Sequence, residues 1–337
     1  MEAISSFQEL LFDKIKEKIP PHESLPNYIT DILNIGIDGA YRRIRGETPL
    51  KIDEIIKLSQ EFRISLDELT QEIQGNTIVF RPAGLTEAGL DFEIYLQNLL
   101  ALLTDIHRRK VSEAIYLVKD IPVFHLFQIP EIALFKMFFW RKTIFNDPYL
   151  DGVKFELKVN NDKEKRCLDL CYLIAEKYCQ IPTTEIWNTE TVASFIKQIG
   201  YYEEAGLFHS KEDAKNLIDK VEFYFTHLKR QAELGYKFIV GHHPHQKIEN
   251  FNLYFNDVVS NDNNIVVKYE DRWEAFMIFH NTEYLHTTNQ AFTQKLATGL
   301  ENITRKSELI SKVAERGRNR FFNQIFTRLQ ELKASIQ

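Results

Sequence analysis

The chain has 337 residues, of which 44% are hydrophobic and 27% are charged, and this globular composition supplies enough material for two or three separate cores. Its formal net charge of -6 argues against a protein that holds nucleic acid through an overall positive charge. No apolar run reaches transmembrane length, and the amino terminus lacks the basic start and apolar block of a secretion signal, so we expect a cytoplasmic protein with no membrane partner.

Residues 1–75 contain five short predicted helices, which start near residues 6, 24, 37, 48 and 65. A Ser-x-x-Glu capping box opens the first helix at Ser6 and the last at Ser65, while Thr48 followed by Pro49 opens the fourth. Asn34 and Gly36 are expected to break the chain between the second and third helices. The fourth helix is predicted to direct one stripe inward: Ile52, Ile55, Ile56, Ser59 and Phe62.

The third helix, predicted at 37–45, lies in the arginine-rich stretch GIDGAYRRIRGE. Ile37, Ala40 and Ile44 share one side and are expected to face the second helix. The remaining positions are polar or small: Asp38, Arg42 and Arg45 opposite the core, Tyr41 and Arg43 on the flanks, and Gly39 as a bare spot. A charged face on a short helix is commonly only solvated surface, which is the alternative to a binding face.

This composition suits contact with nucleic acid. The planar fork of an arginine can meet both major-groove acceptors of guanine, whereas flanking arginines and a tyrosine hydroxyl suit phosphate oxygens. Asp38 is expected to cap the helix and to orient Arg42 four residues later, with a cytosine amine as the other partner it could serve.

The segment 25–69, LPNYITDILNIGIDGAYRRIRGETPLKIDEIIKLSQEFRISLDEL, resembles the lambda-repressor-like (Cro-type or xenobiotic-response-element-type) helix-turn-helix domain. The likeness lies in the turn, the short third helix, Gly46 with Thr-Pro after it, and the hydrophobic-Ser-Leu-Asp-x-Leu ending. AYRRIRGE is similar to a subgroup of bacterial regulators that carry this domain at the start of a longer chain. The chain departs from the family at Gly36, where a serine usually caps the third helix.

The resemblance implies a five-helix bundle whose third helix enters the major groove. On the third helix it implies DNA contacts from Asp38, Gly39, Tyr41, Arg42, Arg43 and Arg45. Phosphate contacts are implied at the start of the second helix and before the fourth, from Ser24, Asn27, Tyr28, Thr48 and Lys51.

Beyond a linker predicted at 76–90, the sequence predicts an all-helical domain at 91–235 and a small α+β module at 236–337. The helices of the first are expected at 91–108, 111–119, 129–145, 164–180, 189–199 and 211–234. The module is expected to contain a β-hairpin (250–259 and 265–270), further strands at 273–280 and 282–288, and helices at 289–304 and 306–335. We therefore predict a mainly α protein. The dense aromatic residues of the central domain indicate a large core, and an apolar ligand pocket or a dimer seam stay open as alternatives.

Cysteine and histidine spacing favours no metal site. Cys167 and Cys171 lie four apart on a predicted helix, but no second pair with ligand spacing accompanies them, so we interpret them as core residues. His242, His243 and His245 lack an acid or a cysteine at ligand spacing and are interpreted as a surface turn. Since nucleophile, phosphate-loop and dinucleotide motifs are also lacking, we predict a protein that is not an enzyme and holds no cofactor.

These observations together predict a DNA-binding transcriptional regulator that recognises double-stranded DNA as a homodimer. The long last helix is expected to contribute to the dimer, and a small-molecule or protein effector is an open partner for the carboxy-terminal region. The alternative is a protein-interaction module whose helical bundle never meets DNA. Its support is the charge of residues 1–75, which hold nine Lys/Arg against fourteen Asp/Glu.

Overall fold

The computed structural model of the chain describes residues 7–20, 23–67, 69, 78–83, 91–242, 249–258, 263–280 and 282–336. The chain divides into two compact units, Met1–Phe80 and Arg81–Gln337. Four residues that carry sequence expectations lie outside the described residues: Ser6 and Glu68 of the two capping boxes, and His243 and His245 of the histidine cluster.

The first unit is a bundle of short helices. They are α1 (Phe7–Lys16), α2 (Leu25–Leu33), α3 (Ile37–Ile44) and α4 (Ile52–Glu61). Residues 66, 67 and 69 are also helical, where the sequence predicts a fifth helix. The buried core is formed by Leu11, Phe12, Ile15, Ile29, Leu33, Ala40, Leu58, Ile64 and Leu69.

The apolar face of α4 differs from the predicted one. Leu58 and Ser59 are buried, whereas Ile52 is 74% exposed and Ile56 is 41% exposed. The sequence predicts Thr48 as the cap of this helix and Pro49 as its first residue. The helix instead begins at Ile52, because Lys51 still has extended backbone. Ile52 therefore lies at the end of the helix beyond the core, and Ile56 lies beside the inward stripe rather than in it.

The second unit contains eight helices of its own in the described ranges above residue 80. They are α5 (Phe92–Arg108), α6 (Val123–Leu126), α7 (Pro130–Phe139), α8 (Asp162–Cys179), α9 (Thr189–Glu204), α10 (Lys211–Leu234), α11 (Gln290–Arg305) and α12 (Glu315–Ser335). A π-helical turn, Trp140–Ile144, continues α7, and a short 3-10 turn follows at Pro148–Leu150.

One mixed sheet organises these helices. Its strands are β1 (Arg81–Ala83), β2 (Glu113–Leu117), β3 (Thr183–Trp187), β4 (Phe251–Phe255), β5 (Asn264–Lys268), β6 (Trp273–His280), β7 (Glu283–Thr287) and β8 (Glu308–Leu309). They lie in the order β1-β7-β6-β5-β2-β3-β4-β8. The three strands β2, β3 and β4 are parallel to one another, and the other pairings are antiparallel.

Both faces of the sheet are covered. Ala114 and Tyr116 of β2 belong to the large core, which the sheet shares with α5, α7, α8, α9, α10 and α12. Ile115 and Leu117, on the other face of the same strand, belong to a smaller core beneath α11. The alternation of side chains along a strand thus divides β2 between two apolar environments.

The predicted fold class is wrong for this unit. The strands β2 and β3 lie inside the region predicted to be all helical, and β2 occupies the place of the helix expected at 111–119. The predicted hairpin is also wrong, because β4 pairs with β3 and β8 while β5 pairs with β2 and β6. The last helix starts at Glu315, since the short strand β8 takes up residues 308–309. A sheet buried on both faces, rather than a small module, forms the centre of the unit.

A carboxylate is buried in the large core. The side chain of Glu185, on the central strand β3, is fully buried. It accepts hydrogen bonds from His125 Nε2 (2.9 Å), Tyr178 Oη (2.7 Å) and Trp187 Nε1 (2.8 Å). Burial alone would raise the pKa of Glu185, but the charge and the hydrogen bond of His125 hold that pKa at about 2.

Lys237 accompanies this carboxylate. Its Nζ donates to the carbonyl oxygen of Ile181 and to Thr183 Oγ1, each at 2.8 Å. Burial lowers the pKa of Lys237 to about 8, against the opposing attraction of Glu185. We refer to Glu185, His125, Tyr178, Trp187, Thr183 and Lys237 as the buried polar cluster.

Cys167 and Cys171 are buried core residues, as predicted, and Cys179 is buried as well; all three carry free thiols. In the parts of the chain that the structure describes, no group of three or more His, Cys, Asp or Glu side chains is arranged to hold a metal ion. Those parts also contain no helix long and apolar enough to cross a bilayer.

Candidate nucleic-acid interface

The helices α2 and α3 are joined by a three-residue turn. Asn34 has left-handed backbone (φ 54°), and the amide of Ile35 donates to the carbonyl oxygen of Thr30 at 3.2 Å. Asparagine tolerates this conformation better than most residues, so the tight turn has a local cause in the sequence. Gly36 then precedes α3 with extended backbone and no side-chain cap. The turn brings α3 into contact with α2.

Only part of the predicted inward stripe of α3 is buried. Ala40 is fully buried and Ile44 packs on the core of the first unit, but Ile37 is 43% exposed. Ile37 is the first residue of an eight-residue helix, so it lies at the end of α3 where the core no longer covers it. The prediction for Ile37 is therefore wrong, whereas Ala40 and Ile44 fix which side of α3 faces outward.

The outward side of α3 is polar and open. Asp38, Arg42 and Arg45 are exposed, and Tyr41 is 45% exposed. The guanidinium of Arg42 makes no hydrogen bond or ion pair with any residue in the described ranges. The expected pairing of Asp38 with Arg42 is not formed among these residues, and Gly36 rather than Asp38 precedes the helix as its cap. Arg42 is thus free to engage a ligand.

Arg45 pairs locally on the surface. Its Nε donates to Glu47 Oε1 at 2.7 Å and its Nη2 donates to Glu47 Oε2 at 3.2 Å. The hydrogen bond from Arg45 lowers the pKa of Glu47. Both side chains are exposed, and such pairs contribute only about 0–1 kcal/mol, so this one opens at little cost.

Arg43 lies on the protein side of α3 rather than toward a ligand. Its Nε and Nη2 donate to the carboxylate of Glu54 at 3.0 and 2.8 Å, and the two side chains are only 13% and 15% exposed. Glu54 also accepts from the amide of Lys51 at 3.0 Å, which fixes the first turn of α4. The hydrogen bonds from Arg43 lower the pKa of Glu54. Arg43 therefore fastens α3 to α4.

Gln8 holds the segment between these two helices. Its Nε2 donates to the carbonyl oxygens of Arg43 (2.6 Å) and Thr48 (3.0 Å), and its Oε1 accepts from the amide of Leu50 (2.8 Å). One amide side chain on α1 thus bonds to three backbone groups, one in the last turn of α3 and two in the loop that follows it. Sequence reasoning missed Gln8, because a single polar residue on an amphipathic helix carries no periodic signal.

The predicted phosphate-contact residues lie at two places. Ser24 and Asn27 are exposed at the start of α2. Tyr28 is half-buried, packs against Phe62 at 6.1 Å between ring centres, and has a raised pKa because its hydroxyl is hydrogen-bonded to Glu23. The second group, Thr48 and Lys51, lies in the segment between α3 and α4.

At that second place, Lys51 is exposed and Thr48 is half-buried. The backbone amide of Thr48 donates to the carbonyl oxygen of Arg42 at 3.2 Å, so Thr48 belongs to the turn that ends α3 rather than to the cap of α4. Gly46 has left-handed backbone (φ 74°) and makes this turn possible. Gly39 lies on α3, where an added Cβ would meet the Arg43 guanidinium at 3.6 Å.

Comparison with known proteins gives no match: no family model, no curated protein and no solved structure matches this chain.

Proposed function

We propose that the first unit binds double-stranded DNA with α3 in the major groove, and that the protein is a sequence-specific transcriptional regulator. The observation that carries the proposal is the state of Arg42, which is exposed on the outer face of α3 and has no partner among the described residues. Ala40 on the opposite side anchors the helix in the core. A helix-turn-helix presents its second helix to DNA in this way.

The roles of the α3 side chains follow from their placement. Arg42 takes the role of contacting guanine, because its planar guanidinium can donate to O6 and N7 of that base together. Arg45 joins it once the weak surface pair with Glu47 opens, and Tyr41 supplies a hydroxyl to a neighbouring phosphate. Asp38 accepts from a cytosine amine at the start of the helix.

Arg43 receives a positioning role in this proposal, since its guanidinium is already bonded to Glu54 and to the carbonyl oxygen of Gly39. Ser24, Asn27 and Tyr28 at the start of α2 receive the phosphate contacts on one side of α3. Thr48 and Lys51 receive those on the other side. Contacts on both sides of the reading helix fix its register on the duplex.

The first unit is acidic overall, so we expect only the surface around α3 to attract DNA. Its net charge is negative, so attraction to a polyanion depends on the few cations next to α3. We expect a homodimer on two half-sites about 34 Å apart, because paired sites supply the affinity that one small bundle lacks. Binding will weaken steeply as the salt concentration rises.

The test begins with selection of bound duplexes from a random pool by the full-length protein. The affinity for the selected site is then compared between the wild type, Arg42→Ala, Arg42→Lys and Lys57→Ala. Lys57 is exposed on α4, so Lys57→Ala removes the same charge as a matched control. We expect Arg42→Ala to lose about 5- to 150-fold in affinity and base preference at one position, and Lys57→Ala to lose much less. Equal effects of Arg42→Ala and Lys57→Ala would overturn the reading role of α3.

A protein-interaction module is the second candidate, and the exposure of Ile52 and Ile56 on α4 favours it. These two side chains are four residues apart and lie on one side of the helix. Ile52→Ser together with Ile56→Ser removes this apolar surface without adding charge and will leave DNA binding intact under the first proposal. Under the second, no duplex is enriched from the random pool, and the double variant loses the protein partner.

A further inference from the structure

A cavity lies inside the second unit, between α5 and the face of the sheet that belongs to the large core. Its volume is about 100 Å³, counted as the space that the centre of a water molecule can reach. This volume has room for a molecule of roughly ten heavy atoms. Its walls come from α5, α6, α8, β2, β3, β5, β6 and the turn into β7. All of these elements belong to one unit, so the cavity is a property of that unit alone.

The walls are mainly apolar, and their polar groups are a few hydroxyl groups and the carboxylate of Glu283. Leucine and isoleucine side chains of α5 face the valine, isoleucine and phenylalanine side chains of β5 and β6. Thr282 Oγ1 is buried and has no hydrogen-bond partner, although such groups are normally paired. The phenols of Tyr95, Tyr116 and Tyr284 also line the cavity, and none of them hydrogen-bonds to a residue within the described ranges. A hydrogen-bonding ligand would satisfy these groups.

The charge of the walls disfavours an anionic ligand. Among the described residues, Glu283 is the single acidic side chain of the lining, and no lysine, arginine or histidine lines it. An anionic ligand would therefore enter an apolar space without a compensating cation, which is strongly unfavourable. Burial raises the pKa of Tyr284, so its phenol stays protonated and donates. The walls thus offer hydrogen-bond donors to an uncharged acceptor.

The floor of the cavity is held in place by the buried polar cluster. Tyr178 lines the cavity with its ring and donates its hydroxyl to Glu185 at 2.7 Å. Phe124, another lining residue, stacks on that ring at 4.4 Å between ring centres. Thr183 lines the cavity as well and accepts from Lys237 at 2.8 Å. A floor fixed by these bonds does not collapse when the cavity lacks a ligand, which is how preformed ligand sites are built.

We infer that this cavity binds a neutral, mainly apolar small molecule that carries a carbonyl oxygen, with Thr282 and Tyr284 as the donors to that oxygen. The site is separate from α3, and the inference holds whether or not the first unit reads DNA. Three probes of nearly equal size distinguish the chemistry: 4-fluoroacetophenone, 1-ethyl-4-fluorobenzene and 4-fluorobenzoate. The first has the carbonyl, the second has none, and the third carries a negative charge.

The experiment measures the affinity of the full-length protein for each probe by fluorine NMR line broadening. We expect the ketone to bind more tightly than the hydrocarbon, and the benzoate not to bind. Tyr284→Phe and Thr282→Val should each weaken ketone binding about 3- to 10-fold while leaving the hydrocarbon unchanged, because each removes one donor. Tyr201→Phe is the matched control, since Tyr201 is exposed and lies outside the cavity.

Ala114→Leu places extra atoms in the cavity from β2 and should abolish binding of both neutral probes. Tyr284→Phe and Thr282→Val still test the inference if this larger change disturbs folding. Neither hydroxyl makes a hydrogen bond to a described residue, so removing it breaks no bond there. The inference is overturned if the wild type does not bind the ketone, if the benzoate binds as tightly, or if neither single-hydroxyl variant alters ketone affinity.

Discussion

The ion pair between Arg43 and Glu54 should contribute measurably to the stability of the first unit, and Glu54→Gln tests it. The change keeps the size of the side chain but removes the charge that two guanidinium nitrogens contact at 3.0 and 2.8 Å. Exposed ion pairs contribute about 0–1 kcal/mol, whereas breaking a buried pair costs about 3–5 kcal/mol. With side chains 13% and 15% exposed, this pair lies between the two cases. We therefore expect a loss of about 2 kcal/mol.

Native-state hydrogen exchange at the amides of α3 and α4 in the full-length protein measures this loss without mixing in the second unit. Glu47→Gln is the control, because it breaks an exposed pair with Arg45 that solvent screens, and it should cost much less than Glu54→Gln. Arg43→Met on its own and combined with Glu54→Gln gives the coupling energy of the pair. If Glu54→Gln and Glu47→Gln changed the opening free energy equally, α3 would not be fastened by Arg43.

The same pair predicts a pH dependence. Because its hydrogen bonds with Arg43 lower the pKa of Glu54 in the folded state, its contribution is complete above the ordinary glutamate pKa of about 4.3. The contribution is lost as the pH falls from there through the lowered value. Protection of α3 amides should decline over that acidic range in the wild type and stay flatter in Glu54→Gln.

Three further changes test other contacts. Gly36→Ser should stabilise α3 by a few tenths to about 1 kcal/mol in thermal unfolding, because the position has φ -69° and open space for a capping hydroxyl; a lower stability would contradict this. Gln8→Leu should cost about 2 kcal/mol by exchange at the amide of Leu50, since that amide and the carbonyl oxygen of Thr48 lose the partner that Gln8 supplies, while the carbonyl oxygen of Arg43 keeps the bond from the Gly46 amide. Glu185→Gln should cost about 3–5 kcal/mol in the second unit. In the wild type, acid titration followed by Trp187 fluorescence should show that unit losing stability from about pH 4.3 down to pH 2, where Glu185 takes up its proton.

The first unit could be predicted largely from its sequence because local signals coincide there. Asn34 and Gly36 mark the turn, and the spacing of Ala40 and Ile44 identifies the buried side of α3. The pairing of Arg43 with Glu54 was not predictable, since it joins residues eleven apart across a loop. Which of several adjacent arginines turns inward depends on the placement of the next helix, and single-helix periodicity does not contain that information.

The sheet of the second unit could not be predicted for a different reason. Residues 113–117 and 183–187 are covered on both faces, so β2 and β3 lack the alternation of apolar and polar residues that marks a half-exposed strand. The short apolar run AIYL of β2 has the same appearance as a buried helix turn, and the threonines and the glutamate of β3 give no strand pattern at all. The cavity depends on the packing of α5 against several such strands, so its lining residues are far apart in sequence and no local motif announces it.

The strands at the two edges of the sheet restrict how copies of the protein can associate. β1 has three residues and includes Pro82, which lacks a backbone donor, and β8 has two residues. Edges this short leave few unpaired amide and carbonyl groups for a neighbouring chain to join. Association by extending the sheet is therefore disfavoured, and we expect a homodimer to be formed through helical surfaces.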